Sequence, residues 1–284
     1  MKKGNTPLGS QVRLAYKILV LFLISIPFVS FIGYKLYVKI KWLNEQVANQ
    51  NLAVANLYEA YTIPNTKIFL DSGAHHVLCL GNSITLHTFG RTRPGASPFW
   101  EGRWGMCASR PDSDYVHRLG RMFMNVNVRS TIMGVNIADW ETNPKRDKNS
   151  LFGKYMRGKD LIIIRLGENV KDDNLFKEEL PSLIKYCQRY TKKIILSGMY
   201  WRNDAREHAI IQAAREFNIP YVPLFWIKDS YEDLVMFHVG DTIYNVKGKP
   251  YTIKTDFITT HPNDYGMKLI AEALWNKIDF SSSN

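Results

Sequence analysis

From His76 onward the chain alternates between two hydrophobic rhythms. Short apolar runs at Val77–Leu80, Asp160–Leu166 and Lys193–Ser197 read as strands buried on both faces, joined by Val126–Met133 and Tyr221–Trp226. Between the runs, apolar positions recur three and four apart. Tyr115, Leu119 and Phe123 mark a helix over Asp114–Met124; Leu180, Leu183, Ile184 and Cys187 mark one over Leu175–Tyr190. Ala205–Phe217 is a third, and Asn263–Lys277, with Met267, Ile270, Ala271 and Leu274 on one side, is a fourth. Strands alternating with helices predict an α/β domain whose parallel sheet is covered on both faces. The interval 233–258, rich in Val, Tyr, Thr and Gly, breaks the rhythm and predicts a hairpin or extended lip.

The N-terminal pattern is different. Ile18 to Tyr34 carries no charge and lies between Lys17 and Lys35. That length is at the short end of a membrane span, and residues from 14 onward lengthen it. It exceeds a signal-peptide core and no small-residue cleavage site follows it, so an uncleaved transmembrane helix is expected. Lys2, Lys3, Arg13 and Lys17 before the span slightly outnumber Lys35, Lys39 and Lys41 after it, which puts the N-terminus inside and the rest extracytoplasmic. The expected organisation is a cytoplasmic tail and anchor (1–41), a stalk or juxtamembrane helix (42–70) and a globular domain (71–284).

This location changes the meaning of the net charge of +11. Seven basic and no acidic residues fall within 1–43, leaving 30 basic against 26 acidic, or +4, for the rest. The basicity belongs largely to the membrane segment, and a nucleic-acid partner is not expected. The three cysteines, Cys79, Cys107 and Cys187, have no metal-ligand spacing.

The candidate chemistry sits at strand and helix edges. Gly81-Asn82-Ser83 ends the first strand, Gly167-Glu168-Asn169 follows another, and His261-Pro262-Asn263 precedes the last helix. A serine hydroxyl, an amide donor and a histidine base are the parts of an acyl-transfer site. Parallel strands deliver their C-terminal ends to one edge, where these parts can meet. The G-x-S-x-G elbow is absent, because Thr85 takes the place of its second glycine.

Together with Gly134, these motifs resemble the SGNH hydrolase (GDSL-like esterase) superfamily in order, spacing and strand context over about residues 75–278. The resemblance implies a flavodoxin-like three-layer α/β/α sandwich. It implies Ser83 as nucleophile, His261 as base, and an oxyanion hole made of the Ser83 and Gly134 N–H groups and the Asn169 amide. It implies no metal and no cofactor. The chain departs from the family twice. Asn82 stands where the family has Asp, and Ile258 stands at the acid position three before the histidine. Asp256, five before, is then the candidate acid; Asp264 is the other nearby carboxylate. The alternative is a Ser–His dyad whose imidazole is oriented by a backbone carbonyl.

A loop of about 28 residues follows Ser83 and holds Trp100, Arg103 and Trp104 among glycines. These residues and Trp201, at a strand end, are candidates for substrate binding, since aromatic faces suit sugars and arginines suit acidic groups. Trp140 is a further candidate for the same cleft. The expectation is a membrane-anchored serine esterase acting on O-acyl esters such as O-acetyl groups of cell-surface carbohydrate. The alternatives are an O-acetyltransferase acting on extracellular glycan, and a non-catalytic glycan-binding or assembly subunit with a decayed site.

Overall fold

The computed structural model describes residues 33–42, 66–71, 73–87, 104–126, 128–244, 248–254 and 259–280. The chain divides into two units, Met1–Ala53 and Val54–Asn284. In the first, residues 33–42 form helix α1, with Tyr34, Leu36 and Trp42 exposed. The expected span from Ile18 lies outside the described residues up to position 32, as does most of the expected stalk. Among the described residues no helix is long and apolar enough to cross a membrane.

The second unit is built on a five-stranded parallel sheet in the order β3-β2-β4-β5-β6. Its strands are β2 (His75–Gly81), β3 (Ser130–Asn136), β4 (Leu161–Arg165), β5 (Ile194–Ser197) and β6 (Tyr221–Val222). Counted along the chain this is the 2-1-3-4-5 order of flavodoxin-like folds, whose ligand crevice opens where the winding reverses, here between β2 and β4. Two-residue strands β1 (Ile68–Phe69) and β9 (Ile278–Asp279) pair in parallel apart from it. The expected lip is an antiparallel pair, β7 (Thr242–Tyr244) with β8 (Pro250–Thr252).

Alternation sets the two cores. Val77 and Cys79 of β2 and Leu161 and Ile163 of β4 point to one face, where α2 (Tyr115–Asn125), α7 (Phe225–Val235) and α8 (Asp264–Trp275) cover them. Leu78, Leu80, Ile162 and Ile164 point to the other, under α5 (Asp173–Gln188) and α6 (Asp204–Glu216). Each of these aliphatic side chains contributes about 1.5–3 kcal/mol by leaving water. Their burial on both faces explains why these strands read as unbroken apolar runs.

Three readings of the pattern shift. Strand β3 begins at Ser130, four residues later than expected, because Val126 closes helix α2. Only Tyr221 and Val222 of the expected strand Tyr221–Trp226 pair; Phe225 onward is helix α7, kinked at Tyr231, with Phe225, Ile227 and Val235 buried. Two five-residue helices, α3 (Ala138–Thr142) and α4 (Lys148–Phe152), fill the interval before β4. The three cysteines are free and buried, and no disulfide joins Cys107 to Cys187.

Candidate active site

Strand β2 delivers the first part. It ends at Gly81, and Asn82 to Thr85 turn sharply under the strand ends. A side chain at Gly81 would lie 1.9 Å from the Thr85 hydroxyl and 3.0 Å from the Arg165 carbonyl, so only glycine lets the turn close here. The segment after the long loop returns to lock it: Met106 N donates to Ser83 O at 2.8 Å and His87 pairs with Trp104.

The second part comes from the cap of the last helix. Asn263 accepts from the backbone N–H groups of Tyr265 and Gly266, and its amide donates to the carbonyls of Leu234 and Met236 at 2.9 Å each. This ties the start of α8 to the end of α7 and fixes the preceding residue pair. His261 Nε2 lies 3.1 Å from Ser83 Oγ, across 178 residues of sequence. Its other nitrogen, Nδ1, faces the Thr260 hydroxyl at 3.2 Å. If Nε2 is to accept the serine proton, Nδ1 carries the hydrogen and donates it to Thr260. Burial above all, then the charges of His87 and Arg165, push the histidine pKa down to about 3. The imidazole is therefore neutral at neutral pH and offers a lone pair to the serine proton, while the same burial opposes the imidazolium that accepting it would form.

Behind Ser83 lies a buried polar network that the motifs only partly announced. Arg165, at the end of β4 and wholly buried, donates to Asn82 Oδ1 at 2.8 Å and pairs with Glu168. Glu168 also accepts from Asn82 Nδ2 at 2.5 Å and from Tyr200 N at 2.9 Å, joining the ends of β2, β4 and β5. Glu141, from α3, accepts from Asn82 Nδ2 (3.2 Å), Gly167 N (2.5 Å) and Asn169 Nδ2 (2.7 Å). Burial and then the charge of Glu168 push its pKa up to about 7. Gly167 takes φ of +130°, a conformation glycine adopts freely, and Arg206 holds its carbonyl at 3.0 Å.

This network accounts for Asn82. Its amide nitrogen faces two carboxylates and its oxygen faces a guanidinium. Asp in this place would set a third carboxylate against Glu141 and Glu168, so the departure from the family pattern is what the surrounding charges require.

The sequence-expected residues are distributed unevenly. Ser83 and His261 meet, and Trp201 joins them: its ring lies edge-on to the His261 imidazole at 5.2 Å, and its Nε1 donates to Thr260 O at 3.0 Å. Asn169 is partly buried, and among the described residues its second amide hydrogen and the Ser83 N–H have no partner. Gly134 is not brought to the serine. It lies inside β3 opposite Cys79, and the ladder uses Arg129 O and Ile137 N toward β2, so the alternation turns the Gly134 N–H to the free edge of the sheet. There it lines a cleft of about 480 Å³ with Thr85, Leu86 and Asn136. Trp104 is 1% exposed, with its indole donating to Ala108 O, and Trp140 is also buried; both pack in the core instead of offering a ring to a ligand. Asp264 is bound by the Ser109 N–H and hydroxyl at 2.7 and 2.6 Å, which gives it a task away from the imidazole. Asp256, Trp100 and Arg103 lie outside the described residues. Glu141 was missed, having neither motif nor periodicity to mark it. Among the described residues no group of acidic, histidine and cysteine side chains is arranged to hold a metal.

No family model matches the chain, and no curated protein matches it. Several solved structures are similar. An acetylxylan esterase, Axe2 of Geobacillus stearothermophilus, shares 16% identity over 76% of this chain and 100% of its own, with a TM-score of 0.45. LAE5, an alpha/beta hydrolase enzyme from the metagenome of Lake Arreo, Spain, shares 17% identity over 72% and 96%, with a TM-score of 0.46. A member of the lipolytic protein G-D-S-L family from Veillonella parvula shares 14% identity over 70% and 96%, with a TM-score of 0.41. The last is named for the superfamily that the motifs resemble. At such identities and TM-scores the chemistry of those proteins does not transfer, and the site of this chain has to be judged on its own geometry.

Proposed function

We propose that the protein is a serine ester hydrolase of the SGNH type. The observation that carries this reading is the 3.1 Å approach of Ser83 Oγ to His261 Nε2 at the crevice edge of the sheet. His261 takes the Ser83 proton as Oγ bonds to the ester carbonyl carbon. The carbonyl oxygen becomes an oxyanion, received by the Ser83 N–H and the Asn169 amide. His261 then gives its proton to the departing alcohol, leaving an acyl-serine. Water, deprotonated by His261, attacks that ester and releases the acid and the free serine. Thr260 holds the required tautomer and Trp201 steadies the ring. Asp256 is the candidate acid behind the imidazole, and Ser83 with His261 alone is the alternative.

The proposed substrates are O-acyl esters with short acyl groups such as acetyl, carried by carbohydrate. Trp201, Trp100 and Arg103 are the proposed contacts for the alcohol part. The proposed setting is a membrane anchor through residues 14–34 with the domain outside, checked by whether a truncation to 62–284 leaves the membrane fraction. Acetate release from p-nitrophenyl acetate and from acetylated xylan, compared between wild type and Ser83→Ala, tests the activity. Equal release by the two proteins would refute it, and cleavage of long-chain esters with acetylated glycan left intact would refute the substrate class. Asp256→Asn separates triad from dyad, because only a triad loses activity with that change.

A further inference from the structure

The reaction above uses Ser83, His261 and Asn169 and leaves Glu141 without a task. Yet Glu141 is wholly buried and its carboxylate accepts three hydrogen bonds. The three donors are not scattered. Asn82 belongs to the turn that carries Ser83, while Gly167 and Asn169 belong to the turn after β4. Among the described residues Glu141 alone is hydrogen-bonded to both turns and to the Asn169 amide. Burial and the neighbouring Glu168 charge work against its ionised form, and the three donors work for it. A fold needing only volume here would be served by an apolar side chain at lower cost.

An asparagine amide can present either its oxygen or its nitrogen to a neighbour, and the two orientations are opposite in use. All three groups facing the Glu141 carboxylate are donors, so it serves here as an acceptor. It therefore holds Nδ2 of Asn169 toward itself by one hydrogen and leaves the second for another acceptor. On the esterase reading, we propose that Glu141 is a positioning residue of the acyl-transfer site, holding the Asn169 amide nitrogen and the Ser83 turn at the spacing that the oxyanion needs. It touches neither substrate nor serine hydroxyl; its effect passes through Asn169 and the two turns. Because the oxyanion exists only after attack, the loss on changing Glu141 falls on kcat and not on KM.

The test is a double-mutant cycle in the full chain with p-nitrophenyl acetate, using Glu141→Gln, Asn169→Ala and the pair. Glu141→Gln is expected to lower kcat about 10- to 100-fold, less than the roughly 100- to 1000-fold cost of losing an oxyanion donor outright, with KM within about twofold of wild type. Added to Asn169→Ala, it should lower kcat by clearly less than it does alone, since the Asn169 part of its effect is already gone. Where Glu141→Gln does not fold, Glu141→Asp keeps the charge and withdraws it by one methylene, and the same coupling is expected. Losses that multiply, or a folded Glu141→Gln with wild-type kcat, overturn the inference while leaving the esterase standing. A wild type that neither releases p-nitrophenol nor is labelled at Ser83 by a fluorophosphonate overturns the esterase reading, and the inference falls with it.

Discussion

The two halves of the site are held in different ways. Ser83 stands on the sheet. Its turn grows directly out of β2, and the neighbouring Asn82 is sealed among Arg165, Glu141 and Glu168, charges taken wholly out of water. His261 stands on a cap. Its place depends on Asn263 stitching the end of α7 to the start of α8, and on one indole, Trp201. A nucleophile built on strand ends is fixed by the same bonds that hold the fold together. A base built on a helix cap is fixed by a handful of side-chain bonds whose loss the fold tolerates. Damage behind Ser83 should therefore appear first as lost stability, and damage around His261 first as lost turnover.

The largest effect sets the scale for both halves. Ser83→Ala and His261→Ala should each lower kcat by about 10⁴-fold or more, and together by little beyond either alone, because they act as one unit. Their melting temperatures should part company. Ser83→Ala should melt like wild type, and His261→Ala somewhat lower through loss of the Trp201 contact. Steady-state rates beside thermal melts of the three variants check this. Losses that multiply would mean the two groups do not work together.

Asn82→Asp breaks the comparison where it is sharpest. The new carboxylate would lose both donated bonds and face Glu141 and Glu168. By analogy with unbalancing a buried ion pair, the cost is about 3–5 kcal/mol. Asn263→Ala removes a helix cap and two bonds to the α7 end, about 2 kcal/mol in all. Urea unfolding should rank the two changes in that order, while kcat relative to folded protein should fall more for Asn263→Ala. The reverse ranking in either measurement would undo the contrast.

The halves also carry opposite dependences on pH. Glu141, behind Ser83, titrates near pH 7 in the fold, chiefly through burial, against 4.5 for an ordinary glutamate, and so does Glu207, buried on α6. The folded state binds more protons between those values, so their contribution is complete below 4.5 and is lost as pH rises through about 7. His261 does the reverse. Its pKa is pushed down to about 3 from 6.5, so its contribution is complete above 6.5 and is lost as pH falls toward 3. Stability measured from pH 4 to 8 should pass through a maximum, and Glu141→Gln should flatten the limb above it. A variant with the wild-type profile would show that Glu141 does not titrate there.

Much of this was legible in the sequence, and what was not has physical causes. Ser83 and His261 could be found because a nucleophile and a base must sit at element ends, and strands with both faces buried advertise their ends as breaks in an apolar run. Gly134 misled because a glycine near a strand end looks like a turn, whereas the true end, Asn136, lies two residues later. Phe225 and Trp226 read as the end of a strand because an aromatic pair suits either state, and packing of the helix they open against α8 decides. Glu141 had no signal at all. It belongs to a five-residue helix, and one acidic residue in Trp140-Glu141-Thr142 looks like any surface glutamate until the fold closes over it. Asp264 looked available to the histidine by spacing alone, but spacing does not show that Ser109 already occupies both its oxygens.

The smallest effect tests the weaker half most finely. Trp201 does two things for His261: its ring meets the imidazole edge-on, and its Nε1–H holds the Thr260 carbonyl, one residue before the base. Trp201→Phe keeps an aromatic ring and removes the bond. Losing one partly exposed hydrogen bond costs about 0.5–1.5 kcal/mol. If that bond serves only the fold, the melting temperature drops and kcat stays. If it keeps Thr260, and through its hydroxyl the imidazole, in line with Ser83, kcat should fall about threefold to tenfold at unchanged KM, because small misplacement of a base is expensive. Trp201→Leu, which removes the ring as well, should then lose more turnover than Trp201→Phe. Two equal variants would assign the whole effect to the bond, and a rise in KM would show Trp201 acting through its proposed contact with the substrate as well as behind the base.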